Sequence, residues 1–533
     1  MIWGGCFGWF HTMEGHASGG VAAVICPGVG RDSSTGYRSS RFLADKLAQA
    51  GYPTLRFSYP GTGDSRDTAD EECWSLWKRS VHEAIDTVML ASGASSVILI
   101  GIRLGGVLAS LAACERDEAV GLVLLEPVLR GSSYVLQLRL EERMAADPRP
   151  DAHDQVRVHG LQLSAESLDA IAGVDLRSLA WKPSCKVMLL SESNSGVLRG
   201  CIDAWRRDGV EVTQTASAGM EAFFRPTHLA DEAFPDPQQL MSWLSSAVPA
   251  HPVPRPAHQG AETIEMTGPG WIETPHVFGV HRHLFGMLCR PDHPDGCETI
   301  VIIGNSGGDA HDGFARFGVE FARALAKRGI ASLRMDFAGL GDSVNGPDDR
   351  DGVTHTFAVD RIGDFASAVD LVTAMGFGVV AVQGLCSGAY HALQAAVADP
   401  RIAMTLCVNL PWFNLRFQRA SPASFARRAM FGLSDRAARC LLLYAKGDPG
   451  LAALEMHFGP SGCDLAALPG CDLAILPELD HDLTRPEMRR LVISRSIDFI
   501  EAQADTNPHA LPHTTIAADA TPARTALLEP ATP

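Results

Sequence analysis

Two pentapeptides, GIRLG at 101–105 and GLCSG at 384–388, set the same pair of glycines around different central residues. Each follows an apolar run (VILI, VVAV) and opens a helical pattern. A strand that turns this sharply into a helix holds its central residue in a strained backbone geometry. Glycines two positions to either side leave room for the bend. The central residue is Arg103 in one copy and Cys386 in the other. A thiol can attack a carbonyl and a guanidinium cannot, so one half is expected to carry chemistry and the other to lack it.

The duplication extends well beyond the pentapeptides. Residues 7–65 align with 285–343 at a constant offset of 278, ending in YPGTGDS over FAGLGDS. The offset is 283 at the two elbows, and it falls to 253 between His228 and His481 because the first copy carries a longer insertion after its elbow. A repeat of this length is a duplicated domain rather than a solenoid unit. Each copy alternates near-continuous apolar strands with amphipathic helices, which predicts an α/β fold: two tandem, mostly parallel sheets covered on both faces. An extra helical stretch, roughly 131–181 and 411–439, follows the fifth strand of each copy and is expected to form a cap. The expected division is 1–245 for the degenerate domain, 246–262 for a Pro-rich linker, 263–503 for the catalytic domain and 504–533 for a disordered tail. Nothing before Phe7 matches the TPHVFGV segment of the second copy, so the first copy either lacks an edge strand or starts upstream.

At 533 residues the chain exceeds a single ordinary core. Its net charge of −17 argues against nucleic acid or an anionic membrane as main partner. It has no apolar run long enough for a membrane span, and its N-terminus lacks the pattern of a secretory signal. Thirteen cysteines without C-x-x-C pairs fit a reducing, cytoplasmic setting, and no metal-ligand spacing or cofactor motif occurs.

An elbow nucleophile needs a base and an orienting acid further down the chain. The strand LLLYAKGD ends at Asp448, and PELDHDLT places His481 after the last strand. His481 is expected to take the thiol proton and Asp448 to hold the imidazole, with Asp472 and Asp480 as rival acids. The oxyanion donors expected are the backbone N–H groups of Ser387 and Gly307. Ser387 is not itself the nucleophile, because its neighbours at two positions' distance, Leu385 and Ala389, break the glycine frame. Asp342 is expected to cap a turn, and Arg334 and Asp336 to form an internal ion pair in preference to substrate contacts. His311 and Arg316 follow the glycine loop and are weighed as substrate contacts. In the first copy the aligned positions are Arg103, Asn194 and His228. Arg103 either recognises an anion or, the favoured arrangement, pairs with Glu192, Glu126 or Asp32.

The GNSGG loop, GxGDS turn, GLCSG elbow, Asp448 and His481 together resemble the α/β-hydrolase superfamily, across both halves. A cysteine at the elbow is similar to the dienelactone-hydrolase variant, which uses Cys-Asp-His. It departs from serine esterases and serine aminopeptidase-like relatives. Both halves also resemble small hydrolases associated with exosortase and exopolysaccharide genes. The resemblance implies an acyl hydrolase or acyltransferase acting on an ester, lactone or thioester through a Cys386 intermediate. Its partner would be a small acyl substrate, free or carrier- or CoA-linked, with the two domains packed on each other. The alternative is a non-catalytic binding or scaffold protein, since the first copy shows that the triad can be lost.

Overall fold

A computed structural model of the protein describes residues 1–13, 18–68, 72–145, 155–178, 185–192, 195–215, 220–225, 237–250, 252–253, 264–293, 296–344, 361–413 and 422–504. The repeat resolves into two large sheets, one of eight strands between Ile2 and Thr215 and one of nine between Met266 and Leu476. The apolar runs become central parallel strands. Val379–Leu385 lies between Thr299–Ile303 and Ile402–Val408, and Ser96–Ile102 lies between Val21–Cys26 and Ala119–Leu125. Side chains on both faces of these strands are buried, which is why the sequence shows no polar alternation. Antiparallel strands confine themselves to one edge: Ile2–Trp3 and Cys6–His11 in the first half, and Met266–Gly268, Trp271–Phe278 and Leu284–Arg290 in the second. The first half thus has only the two-residue strand Ile2–Trp3 where the second runs a full hairpin.

Topology locates the chemistry. In the second sheet the chain winds outward from Thr299–Ile303 first to Ala331–Asp336 and then, in the other direction, to Val379–Leu385. A crevice opens beyond the carboxyl ends of strands at such a reversal. The GNSGG loop and Cys386 both follow those strand ends.

The cap stretch of the first half contains the helices Gly131–Ala145 and Ala165–Ala172 and a hairpin, Val156–Val158 with Leu161–Leu163. That of the second half contains the helix Pro422–Asp435. The helix Gln238–Ala247 buries Leu240, Trp243 and Leu244 against the first half and extends two residues past 245. Lys186 Nζ and the Tyr52 hydroxyl then donate to the carbonyls of Ala247 and Val248. Beyond it, Pro252–Val253 pairs with Ser18–Gly19. Most of the linker and the tail beyond Ala504 lie outside the described residues.

The aspartate of each GxGDS motif reaches an arginine of the other half. Arg56 pairs with Asp342 of the other half, and Arg334 pairs with Asp64 at 2.6 Å. These four residues are equivalent across the repeat, so the same arginine–aspartate pair forms twice, each time across the junction. His311 lies between Asp64 and Asp336, 2.7 Å from each. Arg334 also pairs with Glu273 at 2.7 Å, and Arg323 stacks on Trp271 at 4.0 Å. The first half's Phe7 shares one buried cluster with Trp271, Phe285 and Met287. Burial would push the His311 imidazole down, but the carboxylates of Asp64 and Asp336 override it and keep it protonated well above its ordinary value. Burial would likewise raise the Asp64 carboxyl, but His311 and Arg334 hold it far below the usual carboxylate range.

Candidate active site

The elbow is the same piece of backbone in both halves. Cys386 has φ 52° and ψ −118°, and Arg103 has φ 52° and ψ −117°. Each begins a twelve-residue helix, Ser387–Ala398 and Leu104–Glu115. The glycine frame has a measurable cause. A Cβ on Gly384 would lie 2.0 Å from the carbonyl carbon of Gly388, and one on Gly388 would lie 2.5 Å from the Asn305 carbonyl oxygen. In the first half a Cβ on Gly101 would come within 2.4 Å of Gly106 Cα, and one on Gly105 within 2.2 Å of the Cys26 carbonyl oxygen. No flexible side chain can yield at these four positions, because every obstacle is backbone.

Around Cys386 the structure brings together the residues singled out from the sequence. Asp448 ends the strand Arg439–Ala445 and its turn with a wholly buried carboxylate. One oxygen accepts the Gly450 N–H at 2.7 Å and the other accepts the Nδ1 proton of His481 at 2.6 Å. Asp448 therefore caps its D-P-G turn and orients the histidine at once. The rival acids are engaged elsewhere: Asp472 pairs with Arg439, and Asp480 caps its own loop at Thr484. The hydrogen bond to Asp448 first, and the neighbouring Cys386 thiol second, raise the His481 pKa to about 10. With Nδ1 committed to the carboxylate, Nε2 is the nitrogen left for sulfur. Cys386 itself is half-buried.

Of the two oxyanion donors expected, Ser387 stands at the first position of its helix, where a backbone N–H has no intrahelical acceptor. Gly307 has a partner the sequence did not suggest: its N–H donates to the Ser387 hydroxyl at 2.8 Å. For Gly307 to serve a substrate oxygen it must exchange that acceptor.

Several contacts weighed from the sequence fall elsewhere. Arg334 and Asp336 do not pair with each other. Arg334 reaches across the junction, and Asp336 holds His311, the Asn305 amide and the Asp342 N–H. Asp342 is a junction residue rather than a turn cap. His311 and Arg316 face the first half, where Arg316 donates to the Gly63 carbonyl at 2.7 Å and pairs with Asp67. In the first half, Arg103 pairs with Asp32 at 3.3 Å and donates to the Glu126 carbonyl. Asn194 and His228 lie outside the described residues.

One residue escaped notice. Asn409, fully buried just past the strand Ile402–Val408, donates its side-chain amide to the carbonyls of His481 (2.9 Å) and Asp480 (3.1 Å). Its side-chain oxygen accepts the Ala445 N–H at 2.7 Å. It thus fastens the histidine loop to the sheet. The available signal was its place: a polar residue at the carboxyl end of a buried strand, one strand beyond the elbow.

Residues 21–177 match the family model described as serine aminopeptidase, S33 (Hydrolase_4). In both halves helices connect the strands of a mostly parallel sheet that has an antiparallel edge. The match spans the half whose elbow holds arginine, so in that half family likeness marks the fold without the nucleophile. Among solved structures, the hypothetical protein PA2218 from Pseudomonas aeruginosa is similar at 15% identity and a TM-score of 0.33, over 44% of this chain and 94% of that one. Est1E from Butyrivibrio proteoclasticus is similar at 14% identity and a TM-score of 0.30, over 46% and 100%. A putative dienelactone hydrolase from Klebsiella pneumoniae is similar at 15% identity and a TM-score of 0.31, over 41% and 92%. No curated protein matches the chain. Among the described residues, no helix is long and apolar enough to cross a membrane.

Proposed function

We propose that the second half is a cysteine-dependent acyl hydrolase or acyltransferase acting on an ester, lactone or thioester. The observation that carries this is the position of His481, hydrogen-bonded to Asp448 and near enough to Cys386 for the thiol to help raise its pKa. Cys386 Sγ gives its proton to His481 Nε2 and attacks the acyl carbon, so an S–C bond forms and the carbonyl π pair moves onto oxygen. The Ser387 N–H, with Gly307 if it releases the serine hydroxyl, stabilises that oxyanion. Collapse expels the alcohol or thiol, which takes the proton from His481, and leaves the acyl group on sulfur. Water or another acceptor then attacks the thioester, His481 removes the acceptor's proton, and the thiol is restored. Asp448 keeps Nδ1 protonated so that Nε2 faces the sulfur throughout.

The first half, on this reading, is a scaffold. Its elbow arginine is paired with Asp32, and the half contributes aspartate, arginine and aromatic side chains to the junction. The boundaries 1–245, 246–262 and 263–503 are part of the proposal, as is a reducing, cytoplasmic setting suited to thirteen cysteines. Intact-protein mass spectrometry after mixing with acyl-CoA or aryl esters tests the reading. The expected result is an acyl adduct on Cys386 that is lost in Cys386→Ala. Full turnover by Cys386→Ala, with no adduct on the wild type, rejects it.

A further inference from the structure

A cavity of about 680 Å³ lies where the first half's cap hairpin meets the helices Phe317–Ala326 and Pro486–Ala504 of the second half. Cations dominate its walls. Three of its arginines are consumed by internal partners: Arg316 by Asp67 and the Gly63 carbonyl, Arg323 by Glu273 and Asp67, and Arg489 by Glu320. Four more cations line the same space. Arg157 has a buried Nε with no partner among the described residues. Lys327 is exposed, and Arg328 and Arg490 have only surface glutamates, Glu501 and Glu487. Among the described residues, the only carboxylates in the walls are Asp67, Glu320 and Asp498. Positive charge therefore exceeds negative here, in a chain of net charge −17. Such a concentration has no use in holding the halves together, because the arginines that do so already have their acids. Guanidinium forks suit phosphate oxygens, and the volume is that of a small-molecule site. Thr484 and Pro486, just past His481 in the chain, also line the cavity, and Arg489 Nη1 donates to the carbonyls of Leu483 and Thr484 in that loop.

We propose that this cavity binds the phosphate groups of a soluble, multiply phosphorylated small molecule. The proposal goes beyond the acyl-transfer reading and stands without it, because occupancy is measured directly and without turnover.

The test is calorimetric titration of the full chain at low salt with sodium pyrophosphate and, separately, with coenzyme A. Saturable binding of either is expected, weakened at least about tenfold in Lys327→Glu/Arg490→Glu and unchanged in Arg401→Glu, a surface arginine far from the cavity in the fold. Tighter binding of coenzyme A than of pyrophosphate adds an organic contact to the same phosphate site. Should the double variant fail to fold, the wild type suffices: pyrophosphate should slow acetylation of Lys327 but not of the exposed Lys446. No saturable binding of either probe overturns the proposal. So does binding that protects both lysines equally, or association confined to anionic vesicles.

Discussion

The two elbows differ by one side chain on one backbone. At Arg103 and Cys386 the dihedrals agree to within a degree, and both frames exclude a Cβ through backbone overlap. The bend is thus maintained by packing whether or not chemistry is carried there. The contrast continues one strand on, where Glu126 and Asn409 occupy matching positions with φ 43° and 50°. Both bond a backbone N–H of the next strand end: Glu126 accepts from Glu192, and Asn409 from Ala445. Only an amide can also donate, and Asn409 uses that capacity to hold the carbonyls of Asp480 and His481. A carboxylate there cannot hold a histidine loop. The two halves therefore differ one strand beyond the elbow as well as at it.

The largest effect that would break this comparison is at the elbows. Cys386→Ala should lower esterase or thioesterase turnover by on the order of 10,000-fold or more. Arg103→Cys should gain no acyl adduct, because its sulfur would face Asp32 rather than an oriented imidazole. An adduct at position 103 by mass spectrometry would show that the halves differ less than their side chains suggest.

Next comes Asp448→Asn, which should cost about 1,000- to 10,000-fold in turnover by allowing the wrong tautomer of His481. It also removes the first cause of the raised His481 pKa. Titration of the His481 ring protons by NMR should show the pKa moving from about 10 in the wild type toward the ordinary value near 6.5. An unmoved titration would mean that Asp448 does not orient the ring.

The junction offers a test of symmetry. Asp64→Ala leaves Arg334 and His311 buried without a common partner, and should cost about 3–5 kcal/mol by denaturant unfolding. Asp342→Ala should cost a similar amount through Arg56. The sign of the pH dependence follows from the shifts. His311 has a raised folded pKa, so its contribution is complete below about pH 6.5 and is lost as pH rises through the folded value. Asp64 has a depressed one, so its contribution is present above about pH 3.9 and is lost as acid brings the pH down through the folded value. The network should stabilise most between those limits. His311→Gln should flatten the alkaline side of a plot of melting temperature against pH.

The smallest effect expected is at Asn409. Asn409→Ala frees two loop carbonyls and should cost about 1–3 kcal/mol of stability. Turnover should fall while the wild-type order of substrate preference is kept. Asn409→Glu should lower turnover further than alanine does, since it copies the first half.

Much of this was legible in the residues. The glycine frame, the offset of 278 and the strand ends at Asp448 and before His481 suffice to draw two sheets and to bring Asp448 to His481, because strand ends follow local pattern. Gly307 was matched to an oxyanion without its serine partner, since a backbone N–H carries no mark of where it points.

The sequence alone determined which bend holds a thiol and which holds a guanidinium, because steric exclusion around a glycine frame acts within a few residues. Only the tertiary structure decided the partners of Arg56, Asp64, Arg334 and Asp342. Each motif looks complete in its own half, and its charges are satisfied by the equivalent motif of the other. Long-range burial chooses the counter-ion of a buried charge, and no local pattern records that choice.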